Sequence, residues 1–148
     1  AQESRGLGDV YKRQELHRGI STLTTDLNRI YRERPALFTQ DTEPRGYEWI
    51  DANDTANNVI SFLRYGSDGS VLACLFNFSG VDRDDYRVGL PVGGTWTEVL
   101  NTDAATYSGA GKGTLGSVAA DGDGWHGRPV SASVMLPANS AIWLAPPD

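Results

Sequence analysis

Residues that form disulfides, bind metals or exchange protons at neutral pH are scarce: the sequence has one cysteine and two histidines in 148 residues. A single cysteine excludes a disulfide framework within the chain. Cys74 stands in an apolar run, so we expect a buried and unreactive thiol. Such a thiol suits a reducing compartment, and we predict a cytoplasmic protein.

Long apolar runs and an excess of positive charge are also missing. No stretch reaches the roughly 18 apolar residues that a membrane-spanning helix needs. No basic and apolar leader precedes a small-residue cleavage site, so we expect no secretory signal. The formal net charge is −6, whereas nucleic-acid binding requires a basic surface. We therefore predict that neither a membrane nor nucleic acid is a partner.

The sequence patterns that accompany metal sites and activated nucleophiles are not found. His17 and His126 have no neighbouring Cys/His cluster and no H-E-x-x-H pattern. Asp121, Asp123 and Gly124 resemble the start of a calcium loop whose other ligands are missing. No G-x-S-x-G elbow occurs, although a Ser–His–Asp triad built from distant positions stays open. We predict no metal, no cofactor and no catalytic residue in this chain.

Carboxylates are present, but they lie in predicted turns. Glycosidases need two carboxylates on either side of the scissile bond. Acidic residues in turns more often serve local backbone hydrogen bonding and solvation. We interpret seven of them in that way: Asp51, Asp54, Asp82, Asp84, Asp85, Asp121 and Asp123.

A β pattern centred on one hairpin is the main feature present. The run 71–78 is almost wholly apolar, which fits a strand covered on both faces. Residues 58–65 before it are rich in β-branched and aromatic side chains, and 66–69 predict the turn between them. Further strands are predicted at 47–50, 86–90, 95–100, 130–136 and 140–145. About seven short strands predict an all-β fold, an antiparallel β-sandwich of Greek-key type.

Residues 15–34 predict one amphipathic helix ahead of this sandwich. Its apolar face, spaced for a helix, comprises Leu16, Ile20, Leu23, Leu27 and Ile30. Pro35 ends the helix because proline disfavours helical geometry in the residue before it. The face needs a partner, which is either the sandwich or a preceding domain that this chain lacks. Residues 35–46 form a connector, and residues 47–148 form the sandwich.

Residues 1–14 show no sustained period and are set apart from the fold. From residue 4 onward they resemble translated adapter sequence at the ends of metagenomic gene fragments. A flexible native N-terminus is the alternative. In both cases we expect a non-native or disordered leader without function.

Four tryptophans are candidates either for the core or for a sugar-stacking surface. Trp143 lies in an apolar strand and Trp96 in an alternating one, which favours the core for both. Trp125 lies in a loop between glycine and histidine, where exposure is plausible. Trp49 fits packing and an interface equally well.

Several stretches together resemble one family over roughly residues 15–148. They are HRGI at 17–20, DLNRIY at 26–31, GYEWID at 46–51, VISFLR at 59–64, CLFNF at 74–78, DYRVGLP at 85–91, EVLNTDA at 98–104 and HGRP at 126–129. In this order and spacing they are similar to the C-terminal part of bacterial 1,4-α-glucan (glycogen) branching enzymes, which belong to the α-amylase superfamily.

The resemblance implies that residues 15–34 are the last helix of a truncated catalytic (β/α)8 barrel and that the sandwich is the enzyme's C-terminal domain. The family cleaves an α-1,4-glucan, holds it covalently and transfers it to a 6-hydroxyl, which forms an α-1,6 branch. Its catalytic carboxylates follow barrel strands upstream, so we expect the chain alone to be inactive.

The implied partners are glucan or glycogen, bound through the missing barrel, and the barrel itself, contacted through the five apolar helix residues. Candidate substrate-binding residues within this chain are Tyr47, Trp49, Asp51, Asn101, Asp103 and Trp125.

Three other functions stay open. An autonomous carbohydrate-binding module would share the sandwich and the aromatics but would not need the helix. A structural or protein-interaction sandwich would bind no glucan. The tail of another enzyme of the superfamily, such as an amylase or a trehalose-forming hydrolase, is disfavoured by Asn101–Thr102–Asp103 and by HGRP at 126–129.

Overall fold

A computed structural model describes residues 2–148, with side chains from residue 6 onward. The chain starts with one α-helix, α1 (Gln2–Glu33), which begins well before residue 15, so the predicted start was wrong. Residues 6–18 are exposed on every side, and hydrophobic periodicity detects only a helix that buries one face. The helix ends as predicted before Pro35, which holds Arg34 in an extended conformation. Whether residues 1–14 are native stays a prediction.

No helix in the described part of the chain combines the length and the apolar character needed to cross a membrane.

The strands follow a connector with two short 3-10 turns, Pro35–Leu37 and Pro44–Gly46. A third such turn, Ala105–Tyr107, lies in the loop after the fifth strand. In chain order the strands are β1 (Tyr47–Asp54), β2 (Val59–Tyr65), β3 (Val71–Asn77), β4 (Arg83–Leu90), β5 (Gly94–Asn101), β6 (Ser117–Ala120), β7 (Val130–Leu136) and β8 (Ser140–Ala145).

Seven of these strands were predicted, and β6 was missed. β6 is four residues long with small side chains and pairs with β5 alone. Two of its four side chains are exposed, so its hydrophobic signal is weak. β1 runs further than predicted because its register shifts on both sides of Asp51, and such irregularities break the alternation that sequence analysis reads.

The strands form two antiparallel sheets. The larger sheet has the order β1-β2-β3-β8-β5-β6, and the smaller sheet pairs β4 with β7. In the larger sheet β8 lies between β3 and β5. β4 is not part of that sheet and pairs with β7, which is distant from it in the sequence. This non-sequential order is that of the predicted all-β antiparallel sandwich.

The core lies between the two sheets. Trp96 is fully buried there, as predicted, and its indole N–H donates to the carbonyl oxygen of Val92 at 3.0 Å. The other large core side chains include Leu63, Leu75, Val88, Leu90, Val134, Leu136, Ile142 and Leu144. They come from inward-facing positions of both sheets, as the period of two requires.

β3 is covered on both faces, as its apolar run predicts. Ala73 and Leu75 face the core between the sheets, whereas Leu72 and Cys74 belong to a second cluster on the outer face of the six-stranded sheet. Cys74 is 1% exposed, and burial raises the pKa of its thiol to about 12. The predicted buried thiol is therefore confirmed.

The connector is bound to β2. The guanidinium of Arg64 donates to the carbonyl oxygens of Leu37 and Gly46, each at 3.3 Å, and pairs with the Asp41 carboxylate. Gln40 Nε2 donates to the Tyr65 carbonyl oxygen at 3.1 Å. These contacts place the end of α1 beside the outer face of the six-stranded sheet.

Candidate functional site

The structure distributes the six candidate substrate-binding residues over three places. Tyr47 and Trp49 lie on β1, with their rings on the outer face of the six-stranded sheet. Asp51 and Trp125 line one cleft. The remaining two lie where β5 ends and its following loop begins. The six residues therefore do not converge on a single site.

Asn101 and Asp103 fold the loop that follows β5. The Asn101 side chain donates to the Lys112 carbonyl oxygen at 2.7 Å and accepts the Asp103 backbone N–H at 2.9 Å. The Asp103 carboxylate accepts the backbone N–H groups of Ala110 at 3.2 Å and Lys112 at 3.1 Å. These bonds satisfy loop backbone groups, so a structural role accounts for both residues, and glucan binding by them stays a prediction.

The same loop attaches α1 to the sandwich. A Cβ atom at Gly19 would lie 2.7 Å from the carbonyl carbon and oxygen of Tyr107, so the close approach requires glycine. Tyr107 donates its hydroxyl proton to Asp26 Oδ2 at 2.5 Å, and Ser108 Oγ donates to the Glu15 carbonyl oxygen at 3.1 Å. Burial, together with the bond to Asp26, raises the pKa of Tyr107 to about 12.

A row of aromatic rings crosses the outer face of the six-stranded sheet. On β1 the rings of Tyr47 and Trp49 meet edge to face with centroids 5.1 Å apart, and Tyr47 stacks on Phe62 of β2 at 4.9 Å. Phe62 stacks on Phe76 of β3 at 5.7 Å, and Phe76 stacks on Phe78 at 6.2 Å. We call these five residues the aromatic ladder.

The ladder is open to solvent at both ends. Tyr47 is 36% exposed, Trp49 is 49% exposed and Phe78 is 57% exposed. Contiguous exposed apolar surface of this kind marks binding or docking surfaces. Phe62, Phe76 and Phe78 were not predicted from the sequence as site residues. One sequence signal could have identified them. Pairing of β1 with β2 places Phe62 opposite Trp49, and residues 76 and 78 are two positions apart, so their side chains lie on the same face.

His126 and Gly127 form a two-residue turn, and Trp125 precedes it. Trp125 and Arg128 form an isolated antiparallel bridge, and His126 and Gly127 between them have φ angles of +52° and +70°. Positive φ at both positions is typical of a type I′ hairpin turn, which glycine favours. Trp125 is 44% exposed, and the guanidinium carbon of Arg87 lies 4.5 Å from a ring centroid of its indole. One face of Trp125 is thus already covered by a cation.

His126 joins this turn to β4 and β1. Its Nδ1 accepts the Gly89 backbone N–H at 3.1 Å, and its Nε2 lies 3.4 Å from Asp51 Oδ2. A side chain at Gly89 would overlap the Trp125 backbone. Burial lowers the pKa of His126, and the nearby carboxylates of Asp51 and Asp54 offset this only in part. The imidazole is therefore a neutral structural link.

Arg128 fixes the turn to the edge strand β1. Its guanidinium donates to the Trp49 carbonyl oxygen at 3.1 Å and pairs with Glu48 Oε1 at 2.6 Å. Glu48 also accepts the Tyr65 hydroxyl at 3.1 Å, and the hydrogen bond from Arg128 is the largest cause of its lowered pKa. The HGRP stretch thus joins β1 and β4 through His126 and Arg128.

The cleft beside the turn has a volume of about 710 Å³. Trp125, His126, Arg83 and Arg87 contribute to its walls. Its carboxylates are Asp51, Asp54, Asp82, Asp84 and Asp85. Among the residues that the structure describes, no group of three or more His, Cys, Asp or Glu is arranged to hold a metal ion.

Two of these carboxylates are held ionised by their own neighbours. Burial raises the pKa of Asp54, but hydrogen bonds from Tyr86 and Asn57 outweigh it and leave that pKa below its ordinary value. The hydrogen bond from Lys112 lowers the pKa of Asp82. A general acid for glycoside cleavage needs a carboxyl with a raised pKa. Asp54 and Asp82 have the opposite shift.

The five apolar residues of the helix differ in exposure. Leu16 and Ile20 are 56% and 62% exposed, whereas Ile30 is 2% exposed. Leu23 and Leu27 are half-buried. The end of the helix is therefore covered by this chain, and its middle presents an open apolar stripe.

A model of the family described as "Alpha amylase, C-terminal all-beta domain" matches residues 49–147. The chain is 61% identical to the 1,4-alpha-glucan branching enzyme GlgB of Rhodococcus jostii (strain RHA1), over 97% of this chain and 20% of the relative. It is 62% identical to the GlgB of Nocardia farcinica (strain IFM 10152), over 89% of this chain and 18% of the relative. Its identity to the Mycobacterium tuberculosis GlgB (strain ATCC 25618 / H37Rv) is 60%, with coverages of 97% and 20%. The chain spans about a fifth of the length of these curated relatives.

Proposed function

We propose, from the premise that this chain belongs to the α-amylase C-terminal all-β domain family, that it is the C-terminal part of a 1,4-α-glucan branching enzyme. The observation that carries the proposal is 61% identity to such an enzyme along 97% of the chain. In this role a catalytic barrel outside the chain transfers α-1,4-glucan segments to form α-1,6 branches. The chain supports that barrel and contributes to glucan binding, in a cytoplasmic enzyme.

The state of the carboxylates supports a non-catalytic role. Asp54 and Asp82 accept hydrogen bonds from within the chain, and each has a lowered pKa. Neither is suited to donate a proton to a leaving group at neutral pH. We infer that the cleft carboxylates hold the loops around β4 and that catalysis lies outside this chain.

The exposed apolar residues of the helix are the evidence for a contact with the barrel. Leu16 and Ile20 are exposed on a helix whose contacts with the rest of the chain, among the described residues, lie near its middle and its end. Burying two such side chains stabilises a contact by roughly 1.5–3 kcal/mol each. The stripe from Leu16 to Leu27 is the surface we assign to the barrel. Ile30 is 2% exposed and packs within this chain, so it holds the end of the helix in place and is not part of that surface.

Among the candidate glucan contacts, the geometry favours Tyr47 and Trp49. Flat aromatic faces stack on the apolar faces of pyranose rings, and these two rings lie together and exposed. Trp125 is a weaker candidate because Arg87 covers one of its faces. The exposed pair also fits an autonomous carbohydrate-binding module, which is the second candidate function.

Exchange of the matched segment tests the first proposal. In the grafted enzyme, this chain replaces the matched segment of the Rhodococcus jostii enzyme. We expect the grafted enzyme to reduce the iodine colour of amylose, and the isolated chain to leave that colour unchanged. Loss of colour with the isolated chain would overturn the non-catalytic role. An inactive grafted enzyme would contradict the assignment to branching enzymes.

Affinity electrophoresis in glycogen tests the glucan platform. We expect Trp49→Ala to weaken retardation of the isolated chain by about tenfold in apparent Kd, corresponding to ~1.4 kcal/mol, and Trp125→Ala to have a smaller effect. Leu115→Ala is the control, because Leu115 is 97% exposed in the loop before β6. Equal mobility of all three folded variants and the parent would remove the binding proposal. Strong retardation that persists in a chain shortened to residues 45–148 would favour the autonomous module.

A further inference from the structure

The cleft beside the Trp125–Arg128 turn is a separate surface from the aromatic ladder. Its volume of about 710 Å³ falls within the range of ligand pockets, roughly 300–1,000 Å³. Its walls come from the end of β1, from β4 and from the turn. The ladder, by contrast, crosses the outer face of the six-stranded sheet. The two surfaces meet at β1, where Asp51 of the cleft follows Trp49 by two positions.

The wall formed by Trp125 offers a surface for an apolar ring face. The indole is 44% exposed although Arg87 lies over one of its faces, so the surface left open can take part in stacking. Arg87 is itself fixed, because its Nε donates to Ser131 Oγ at 2.9 Å and its Nη2 donates to the Asp123 carbonyl oxygen at 3.1 Å. The ring is thus held in place before a ligand arrives, which lowers the entropic cost of binding.

The cleft also contains polar groups that this chain leaves without partners. Nε of Arg83 is buried and has no hydrogen-bond partner among the residues that the structure describes. A buried donor without an acceptor is destabilising. Asp84 is exposed in the same cleft, and no hydrogen bond or ion pair joins its carboxylate to the described part of the chain. One donor and one acceptor are therefore free for a ligand.

The other cleft carboxylates differ from Asp84 because each already has a partner within the chain. These partners are the Asn53 backbone N–H for Asp51, the Tyr86 hydroxyl for Asp54, the Lys112 ammonium for Asp82 and the Ser133 hydroxyl for Asp85. Asp84 is thus the cleft carboxylate whose acceptor capacity is not used to fold the surrounding loops.

A neutral ligand rich in hydroxyl groups fits this combination. The cleft has five carboxylates and two guanidinium groups, so its charge disfavours anions. Within the described residues no group of three or more His, Cys, Asp or Glu is arranged to hold a metal ion. Sugar hydroxyls donate to a carboxylate such as Asp84 and accept from a guanidinium such as that of Arg83, and both bonds are charge-assisted. A pyranose also supplies the apolar ring face that stacks on Trp125.

We propose that this cleft is a second glucan-binding site, which holds a segment of an α-1,4-glucan between Trp125, Arg83 and Asp84. This proposal rests on the proposed function, from which the class of glucan is taken. It adds a site on the β4 side of β1 to the platform of Tyr47 and Trp49 on the other side.

Nuclear magnetic resonance of the isolated chain tests the cleft. The indole N–H signals of the four tryptophans are followed during titration with maltoheptaose, and Trp49→Phe and Trp125→Phe assign the two signals that matter. We expect these two signals to shift with maltoheptaose and the remaining two to stay in place. Asp84→Asn should raise the Kd measured at the Trp125 signal by about fivefold and leave the Kd at the Trp49 signal unchanged. Asp148→Asn is the matched control, because it removes one carboxylate at an exposed position outside the cleft.

The outcomes separate the two proposals. A Trp125 signal that stays in place while the Trp49 signal saturates overturns the cleft site, and the platform and the proposed function then still hold. The same Kd at the Trp125 signal in the parent and in Asp84→Asn also overturns it, as does an equal loss in Asp84→Asn and Asp148→Asn. A Trp125 shift that is larger with inorganic phosphate than with maltoheptaose overturns the class of ligand. An inactive grafted enzyme contradicts the assignment to branching enzymes, whereas the Trp125 titration decides the cleft.

Discussion

Replacement of Gly19 by alanine is expected to destabilise the chain, although alanine is the better helix former. In a helix interior, alanine is favoured over glycine by about 1 kcal/mol. The added Cβ, however, would lie 2.7 Å from the carbonyl carbon and oxygen of Tyr107. Carbon atoms in contact normally lie about 3.5–4.0 Å apart, so the loop after β5 must move away from α1.

The magnitude follows from the two hydrogen bonds that this displacement breaks. The Tyr107 hydroxyl bond to the Asp26 carboxylate is of the kind worth roughly 1.5–3 kcal/mol, and the Ser108 bond to the Glu15 carbonyl roughly 0.5–1.5 kcal/mol. Partial exposure places both near the lower ends of these ranges. After the gain in helix propensity, we expect Gly19→Ala to lower the free energy of unfolding by about 1–2 kcal/mol.

Gly8→Ala is the matched control because a Cβ at Gly8 meets nothing within 4 Å. Urea denaturation followed by circular dichroism is expected to show that Gly8→Ala is neutral or stabilising, whereas Gly19→Ala is destabilising. Titration of tyrosine absorbance gives a second readout, since the pKa of Tyr107 should fall from about 12 once Asp26 is no longer its acceptor. Equal stabilisation by both variants would refute the proposed helix–loop contact.

Three further changes test other parts of the structure. Burial holds the pKa of His126 below 6.5, so below that pH the unfolded chain binds a proton that the native chain does not, and stability should fall as the pH decreases from about 6.5. His126→Asn, which accepts the same N–H and tolerates positive φ, should flatten this part of the pH profile of urea midpoints; an unchanged slope would contradict the assignment. Asn77→Ala should cost about 2–4 kcal/mol in urea denaturation, because the 1% exposed amide donates to three backbone carbonyls. The exposed control Asn53→Ala should stay within about 0.5 kcal/mol, and similar losses in both variants would argue against a special role for Asn77. Cys74, buried with a pKa of about 12, should react with a thiol-specific disulfide reagent only after unfolding; rapid reaction of the native chain would show that β3 is not covered on both faces.

Local patterns were sufficient for much of the fold. The apolar run of β3 and its hairpin with β2 follow from side-chain periodicity, because both faces of β3 are buried. The end of α1 follows from the backbone restriction that Pro35 imposes on Arg34. The first part of α1 and the short strand β6 were not predicted, because few of their side chains are buried and their sequences therefore show no hydrophobic periodicity.

For the candidate site, by contrast, most features were decided by the tertiary structure and few by local sequence patterns. The sequence by itself determined the family resemblance, the all-β class and the apolar face of the helix, since these depend on residue types at fixed spacings. Only the tertiary structure decided that Asn101 and Asp103 fold a loop, that Arg87 covers one face of Trp125, and that phenylalanines from two strands extend the Tyr47–Trp49 pair into a ladder. The physical reason is that exposure and pairing depend on strand register and on contacts between residues far apart in the chain, which local periodicity does not encode.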